Sequence, residues 1–283
     1  MKPLREVIQD FKNSGRAIGH FNISDSNQLE ALAQAAKETD LPVIVGLSEG
    51  EREFFPLSHA RSLIDDYIKE GVQMYLNADH TYSLDKAKAA IDAGVDSIVV
   101  DGAKLSFADN VALVREVVAY SKGKVVVEGE LGYIGQSSKL HDELPEGVTL
   151  ENLTTPDEAR ALIVQTGADM LAPAVGNVHG MLKNAKEPRL HPERVTAIAG
   201  AAGVPLVLHG ASGNSDEDVA ACIAAGMVIV HINTELRVLY HDTLRQSSAG
   251  DETTPYKFLG PAVKGMKEYV VHKLQLFAGQ AAQ

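Results

Sequence analysis

The sequence predicts an α/β protein folded as one TIM-type (β/α)8 barrel. Eight short apolar runs of strand length recur along its 283 residues. Helix-periodic segments separate them, and glycines recur where each helix would end and the next run begin. Alternating strands and helices of this kind imply a parallel sheet with crossover connections, and eight units favour closure into a barrel. An open, doubly wound sheet is the competing arrangement.

Gly71, Gly94, Gly167, Gly203 and Gly226 lead into VQMYLNADH, VDSIVVDGA, ADMLAPAVG, VPLVLHG and MVIVHIN. Ala17–Asn22, Pro42–Leu47 and Val125–Glu130 complete the eight. Between them, Leu29, Leu32, Ala33 and Ala36 mark one helix face, as do Ala159, Leu162, Ile163 and Thr166. The latter helix opens with Thr155-Pro156-Asp157-Glu158, a capping box with proline at the first helical position. Ser83 starts a helix through Leu84, Ala87 and Ile91; Val219, Cys222 and Ile223 mark another, and a terminal helix is expected over about 261–278. Nothing in the composition splits residues 1–283 into two domains. The polar stretch 133–154 is expected to be a mobile loop.

Charge and composition exclude several classes. The 26 basic and 38 acidic residues give a net charge of −12, which argues against nucleic acid or an anionic membrane as partner. The N-terminus lacks a signal core and no apolar run is long enough for a membrane span, so a cytoplasmic protein is expected. Cys222 lies among apolar residues and reads as a buried hydrophobe.

In such a barrel, chemistry gathers at the C-terminal ends of the strands. Those ends carry His20 and Asn22, Ser48 and Glu49, Asp79 and His80, Asp101, Glu128 and Glu130, Asn177 and His179, His209 through Gly213, and finally His231, Asn233 and Thr234. Three of the ten histidines, His80, His179 and His209, can therefore converge, and three imidazoles with an open position suit a catalytic zinc. The remaining His59, His141, His191, His241 and His272 read as surface residues. The HGASG turn, ahead of a helix starting near Ser215, can offer backbone N–H groups to a phosphate. None of the eight runs contains a lysine, which disfavours a Schiff base and leaves a metal as the Lewis acid that stabilises a carbanion.

With these residues in view, the chain resembles the class II fructose-bisphosphate and tagatose-bisphosphate aldolases. The matching segments are LNADH (76–80), SIVVDGA (97–103), VEGELGYIG (127–135), VGNVHG (175–180), LVLHGASG (206–213) and NTELR (233–237), with LGPAVKGMKE (259–268) near the end. The resemblance implies reversible cleavage of fructose 1,6-bisphosphate to dihydroxyacetone phosphate and glyceraldehyde 3-phosphate. It implies Zn2+ on His80, His179 and His209, with Asp101 and Glu130 at a second metal position. Asp79 would be the acid/base at the C4 hydroxyl. Gly180, Lys183, Gly210, Ser212, Asn233 and Thr234 would bind the ketose phosphate, while Asn22 and Ser48 line the sugar pocket. A monovalent cation (Na+ or K+) and a homodimer or homotetramer are also implied.

Two positions depart from the family. A loop glutamate eight residues after the Glu130 position is replaced by Ser138, so Asp142 or Glu143 is the expected loop base. An asparagine three residues before the Thr234 position is replaced by His231, read either as a substrate contact or as a structural histidine of the barrel layer. Tagatose 1,6-bisphosphate or another phosphorylated ketose is the alternative substrate. A zinc hydrolase or a silent metal-binding barrel is the alternative from another class.

Overall fold

A computed structural model describes residues 1–135, 137–149 and 153–280. Ten strands are present among them: β1 (Ile18–Asn22), β2 (Val43–Leu47), β3 (Met74–Thr81), β4 (Ser97–Val100), β5 (Val126–Leu131), β6 (Leu140–His141), β7 (Met170–Pro173), β8 (Met181–Leu182), β9 (Leu206–Leu208) and β10 (Met227–Ile232). Eight close a parallel barrel in the order β1-β10-β9-β7-β5-β4-β3-β2. The expected barrel is therefore the observed one. β6 and β8 form a separate parallel pair, Leu140 opposite Met181 and His141 opposite Leu182.

The helices are α1 (Leu4–Ser14), α2 (Ser26–Thr39), α3 (Glu49–Phe54), α4 (Leu57–Lys69), α5 (Leu84–Asp92), α6 (Phe107–Ser121), α7 (Pro156–Thr166), α8 (Pro192–Ala202), α9 (Asp216–Ala225), α10 (Thr234–Ser247) and α11 (Pro255–Phe277). Local sequence sets several boundaries. Thr155 and Glu158 close the reciprocal capping box of α7, and Gly167 ends that helix in the left-handed region at φ 70°. Ser83 caps α5 and Ser106 caps α6 through their side-chain oxygens.

The barrel strands are apolar on both faces because helices cover the outside while side chains fill the inside. Val43, Val45, Leu76, Ile98, Val127, Leu171, Val207 and Val230 are fully buried. α1 packs Leu4, Val7, Ile8 and Phe11 into the same core. Tyr75 donates its hydroxyl to Lys2 O, 2.7 Å away, which ties the N-terminal segment to β3.

Two expectations are corrected. The terminal helix expected over about 261–278 begins at Pro255, a first-position proline, and accommodates Pro261 inside it. A proline at 261 resembles a helix start because its missing N–H is harmless there; packing against α2 and α10 carries the helix through it. The stretch 133–154 is not wholly irregular, because β6 lies within it. Gln136 and residues 150–152 of that stretch lie outside the described residues. Among the described residues, no helix is long and apolar enough to cross a membrane.

Candidate active site

The strand ends bring His80, His179 and His209 together, with candidate ligand atoms all within 4.8 Å of one another. Their ring centroids are 4.7 Å (His80–His179), 5.0 Å (His80–His209) and 5.8 Å (His179–His209) apart. His80 reaches this position through the backbone. It has φ 35°, and the pairing of β3 with β4 shifts register between Ala78 and Thr81. A left-handed state costs an L-residue about 1–2 kcal/mol. Such irregularities re-aim side chains next to active sites.

Each imidazole is held by one nitrogen and leaves the other free, with tautomers assigned from the partners. His80 Nδ1 donates to Asp101 Oδ2 at 3.0 Å, His179 Nδ1 to Gly135 O at 2.7 Å, and His209 Nε2 to Glu128 Oε1 at 2.7 Å. Carboxylate and carbonyl partners of this kind orient metal-ligating histidines and raise their basicity.

The fit to a divalent cation rests on orphaned atoms. His209 Nδ1, Glu130 Oε2 and Asp79 Oδ1 are buried without hydrogen-bond partners. His209 Nδ1 and Glu130 Oε2 lie 3.4 Å apart, and Asp79 Oδ1 is 3.7 Å from His80 Nε2. Lone pairs facing one another in a dry site repel unless a proton or a cation lies between them. His80, Asp101 and Glu130 form a second set with ligand atoms within 4.8 Å. The donor set therefore fits a metal.

The same crowding sets the titration. Burial pushes the Asp79 carboxyl up, but the charges of His80, His20 and His209, with the Asn22 N–H, outweigh it and hold the carboxyl low. Glu130 behaves likewise, burial being outweighed by His80 and His209. Burial lowers His209, yet Glu128 and Glu130 carry it up to about 10. Burial raises the Glu128 carboxyl despite its bond to His209. Burial lowers His179 to about 4 and depresses His231 further from its usual range.

A cavity of about 300 Å3 adjoins His80 and His179 of the cluster and is lined by Asn22, Asp79, Ser138, Gly180, Gly210, Ser212, His231, Asn233 and Thr234 as well. A wider cavity of about 920 Å3 continues it past Ser48, Glu51, Lys139 and Arg237. Gly180 has φ 95°, and a Cβ there would lie 2.4 Å from Lys139 O. A Cβ at Gly210 would lie 2.3 Å from Val178 O. Both positions therefore require glycine, because a side chain would collide with a neighbouring backbone carbonyl.

The HGASG turn lines the inner cavity through Gly210 and Ser212, but the helix that follows it is not an anion site. Ser215 caps α9, whose first turn carries Asp216, Glu217 and Asp218, so that helix start repels an anion. The N-terminus of α10 opens onto the cavity beside the turn, through Asn233 and Thr234. Asn233 makes no side-chain cap there, and its Oδ1 is buried without a partner. Ser212 Oγ accepts from Asn233 N and Glu235 N at 3.3 and 3.4 Å, tying the turn after β9 to this helix.

Other expected residues lie elsewhere. Lys183 pairs with Asp142 at 3.1 Å on the exposed side of the β6–β8 pair, and Glu143 is exposed. None of these three lines either cavity, whereas Ser138 lines both. Ser48 lines the outer cavity only. His59, His241 and His272 are exposed, and His141 and His191 are half-buried. Cys222 is buried and free.

Sequence reasoning left His20, Glu51 and Glu128 without roles. The spacing of Glu128 and Glu130 was a usable signal, since residues two apart on a strand share a face. Glu51 gave none, because its contact with Asn22 joins different βα units.

The comparisons agree with this geometry. The family profile "Fructose-bisphosphate aldolase class-II" matches residues 2–281. A fructose-bisphosphate aldolase of Staphylococcus aureus is 34% identical over 282 residues, covering 97% of this chain and 96% of the relative. One of Geobacillus stearothermophilus is 34% identical over 290 residues, covering 99% and 98%. The crystal structure of the YdjI aldolase from Escherichia coli K12 superposes with a TM-score of 0.85 at 28% identity, covering 98% and 97%. A full-length profile match, joined to a barrel whose strand ends gather three histidines around buried carboxylates, shows that the chain belongs to the class II fructose-bisphosphate aldolase family.

Proposed function

We propose that this aldolase reversibly cleaves fructose 1,6-bisphosphate to dihydroxyacetone phosphate and glyceraldehyde 3-phosphate. The observation that carries the reading is Asp79. Its Oδ1 is buried, unpartnered and 3.7 Å from His80 Nε2, beside the three-histidine cluster. His80, His179 and His209 would hold Zn2+, with Asp101 and Glu130 at a second metal position. When bound there, the metal supplies Lewis-acid polarisation of the ketose carbonyl.

The chain's own groups supply the rest. Asp79 Oδ1 takes the proton of the C4 hydroxyl as the C3–C4 bond breaks, and the electron pair passes to the C2 carbonyl. Asn22 holds Asp79 Oδ2 through a 2.8 Å N–H bond, which leaves Oδ1 to move the proton. Gly180, Gly210, Ser212, Asn233 and Thr234 would take the ketose phosphate at the N-terminus of α10, supported by its dipole. Lys183 joins them if it leaves Asp142. His231 and Ser48 would contact the sugar. Protonation at C3 then releases dihydroxyacetone phosphate; the group that delivers this proton, and removes it in the reverse direction, is assigned to Asp142 or Glu143, which would have to turn toward the cavity.

The reading extends to a monovalent cation (Na+ or K+) near the phosphate, a homodimer or homotetramer, and a cytoplasmic location. Family membership is what supports these extensions.

Triose phosphate release from fructose 1,6-bisphosphate tests it, with tagatose 1,6-bisphosphate in parallel, before and after chelation and zinc repletion. Cleavage that chelation abolishes and zinc restores is expected, with the fructose substrate faster. A faster tagatose reaction reassigns the sugar. Folded, zinc-loaded protein that cleaves neither rejects both.

A further inference from the structure

We propose that Glu51 is a positioning residue that sets Asp79 through the side chain of Asn22. This rests on the proton-transfer role proposed for Asp79. Asn22 Nδ2 donates one hydrogen to Asp79 Oδ2 and the other to Glu51 Oε2, each at 2.8 Å. An amide has two N–H donors, so both are committed. The two carboxylates fix which way the amide faces, since a flipped Asn22 would turn its own oxygen on both. Only Oδ1 of Asn22 remains for a substrate.

Glu51 is itself anchored. It is the third residue of α3 and accepts from Ser48 N at 2.7 Å in a reciprocal capping box. Arg52, next in the helix, donates to Leu47 O and to Asp79 O at 3.2 Å each, binding α3 to the ends of β2 and β3. The cap of a six-residue helix therefore doubles as the mount for the amide. Asp79 is left with one satisfied oxygen and one, Oδ1, that has no partner. Burial raises the Glu51 carboxyl, with the Asn22 and Ser48 N–H groups opposing it. The acceptor geometry survives protonation, because the second oxygen can carry the proton.

The test is a double-mutant cycle in kcat and KM on the zinc-loaded enzyme, with D79N as reference. Glu51→Ala is expected to lower kcat by about tenfold or more, the scale on which misplacement acts. KM should move by less than about threefold, the sign of a contribution confined to the transition state. Glu51→Gln keeps an acceptor oxygen for both N–H groups and is expected to retain most of kcat. In an Asn22→Ala background, Glu51→Ala should cost nothing further, since coupled residues are non-additive. Wild-type kcat in Glu51→Ala, or the same loss with and without Asn22, overturns the proposal. Loss of the helix cap alone lowers the melting temperature without producing that non-additivity. If D79N keeps turnover, the role given to Asp79 fails separately. The crystal structure of Glu51→Ala then decides: an Asn22 amide turned away from Asp79 upholds the positioning, and an unmoved amide overturns it. Should Glu51→Ala not fold, the Glu51→Gln and Asn22→Ala rates and structures are compared instead. Loss of kcat in Glu51→Gln with Asn22 unmoved overturns the proposal.

Discussion

His20 lies flat against His231, with ring centroids 3.5 Å apart and planes 6° from parallel. His231 in turn stacks on His209 at 4.1 Å. The stack is held from behind: His20 Nε2 bonds Asn77 Oδ1 at 3.1 Å, and Asn77 Nδ2 donates to Ser97 Oγ at 2.8 Å. Space for His20 exists because position 46 is glycine. A Cβ there would lie 2.1 Å from His20 Cε1. Gly46→Ala is expected to displace the ring and destabilise the protein by about 1–3 kcal/mol, as overpacking does. Chemical denaturation measures this, and unchanged stability would show that the stack yields freely.

The same stack makes metal-free stability depend on pH. Burial lowers His20 to about 4 from an ordinary 6.5. Its folded form is neutral, so the unfolded chain binds a proton between those values that the folded one refuses. The stabilisation is present above pH 6.5 and is lost as pH falls toward 4. The shift corresponds to about 3 kcal/mol. His20→Asn should flatten the fall in melting temperature across this window. A slope equal to wild type assigns the effect to other groups.

Metal loading should release protons. In the metal-free cluster the carboxylates hold protons on His80 and His209, the latter up to about 10. A cation must displace them, so zinc affinity should rise with pH through neutrality. Glu128→Gln removes the carboxylate behind His209 and should weaken zinc binding by about 10–100-fold. Titration with a competing chelator measures both, and a pH-independent affinity contradicts the assignment.

The loop base is open to direct test. Asp142→Asn with Glu143→Gln should slow exchange of the C3 proton of dihydroxyacetone phosphate by about a hundredfold, the range of a lost general base. Ser138→Ala should change it little. Exchange that survives the double change places the base outside these two residues, as their exposed positions would then explain.

Much of this protein was legible in the order of its residues. Strand period, glycine punctuation and the Thr155–Glu158 cap are local properties, so they specified the barrel and its register of polar strand ends without tertiary information. His80, His179 and His209 were legible because a barrel sends strand-end side chains toward one axis. What the local signal misjudged, it misjudged for a local reason: Pro261 mimics a helix start. The sequence by itself determined the alternating strand–helix units of an α/β protein and put three histidines at or near strand ends. Only the tertiary structure decided that α10 rather than α9 opens onto the cavity, that Lys183 is held by Asp142, and that Asn22 serves two carboxylates. The division is physical. Periodicity and capping act over a few neighbouring residues, whereas a hydrogen bond between Asn22 and Glu51 exists only once β1 and β2 pair and bring their C-terminal ends together.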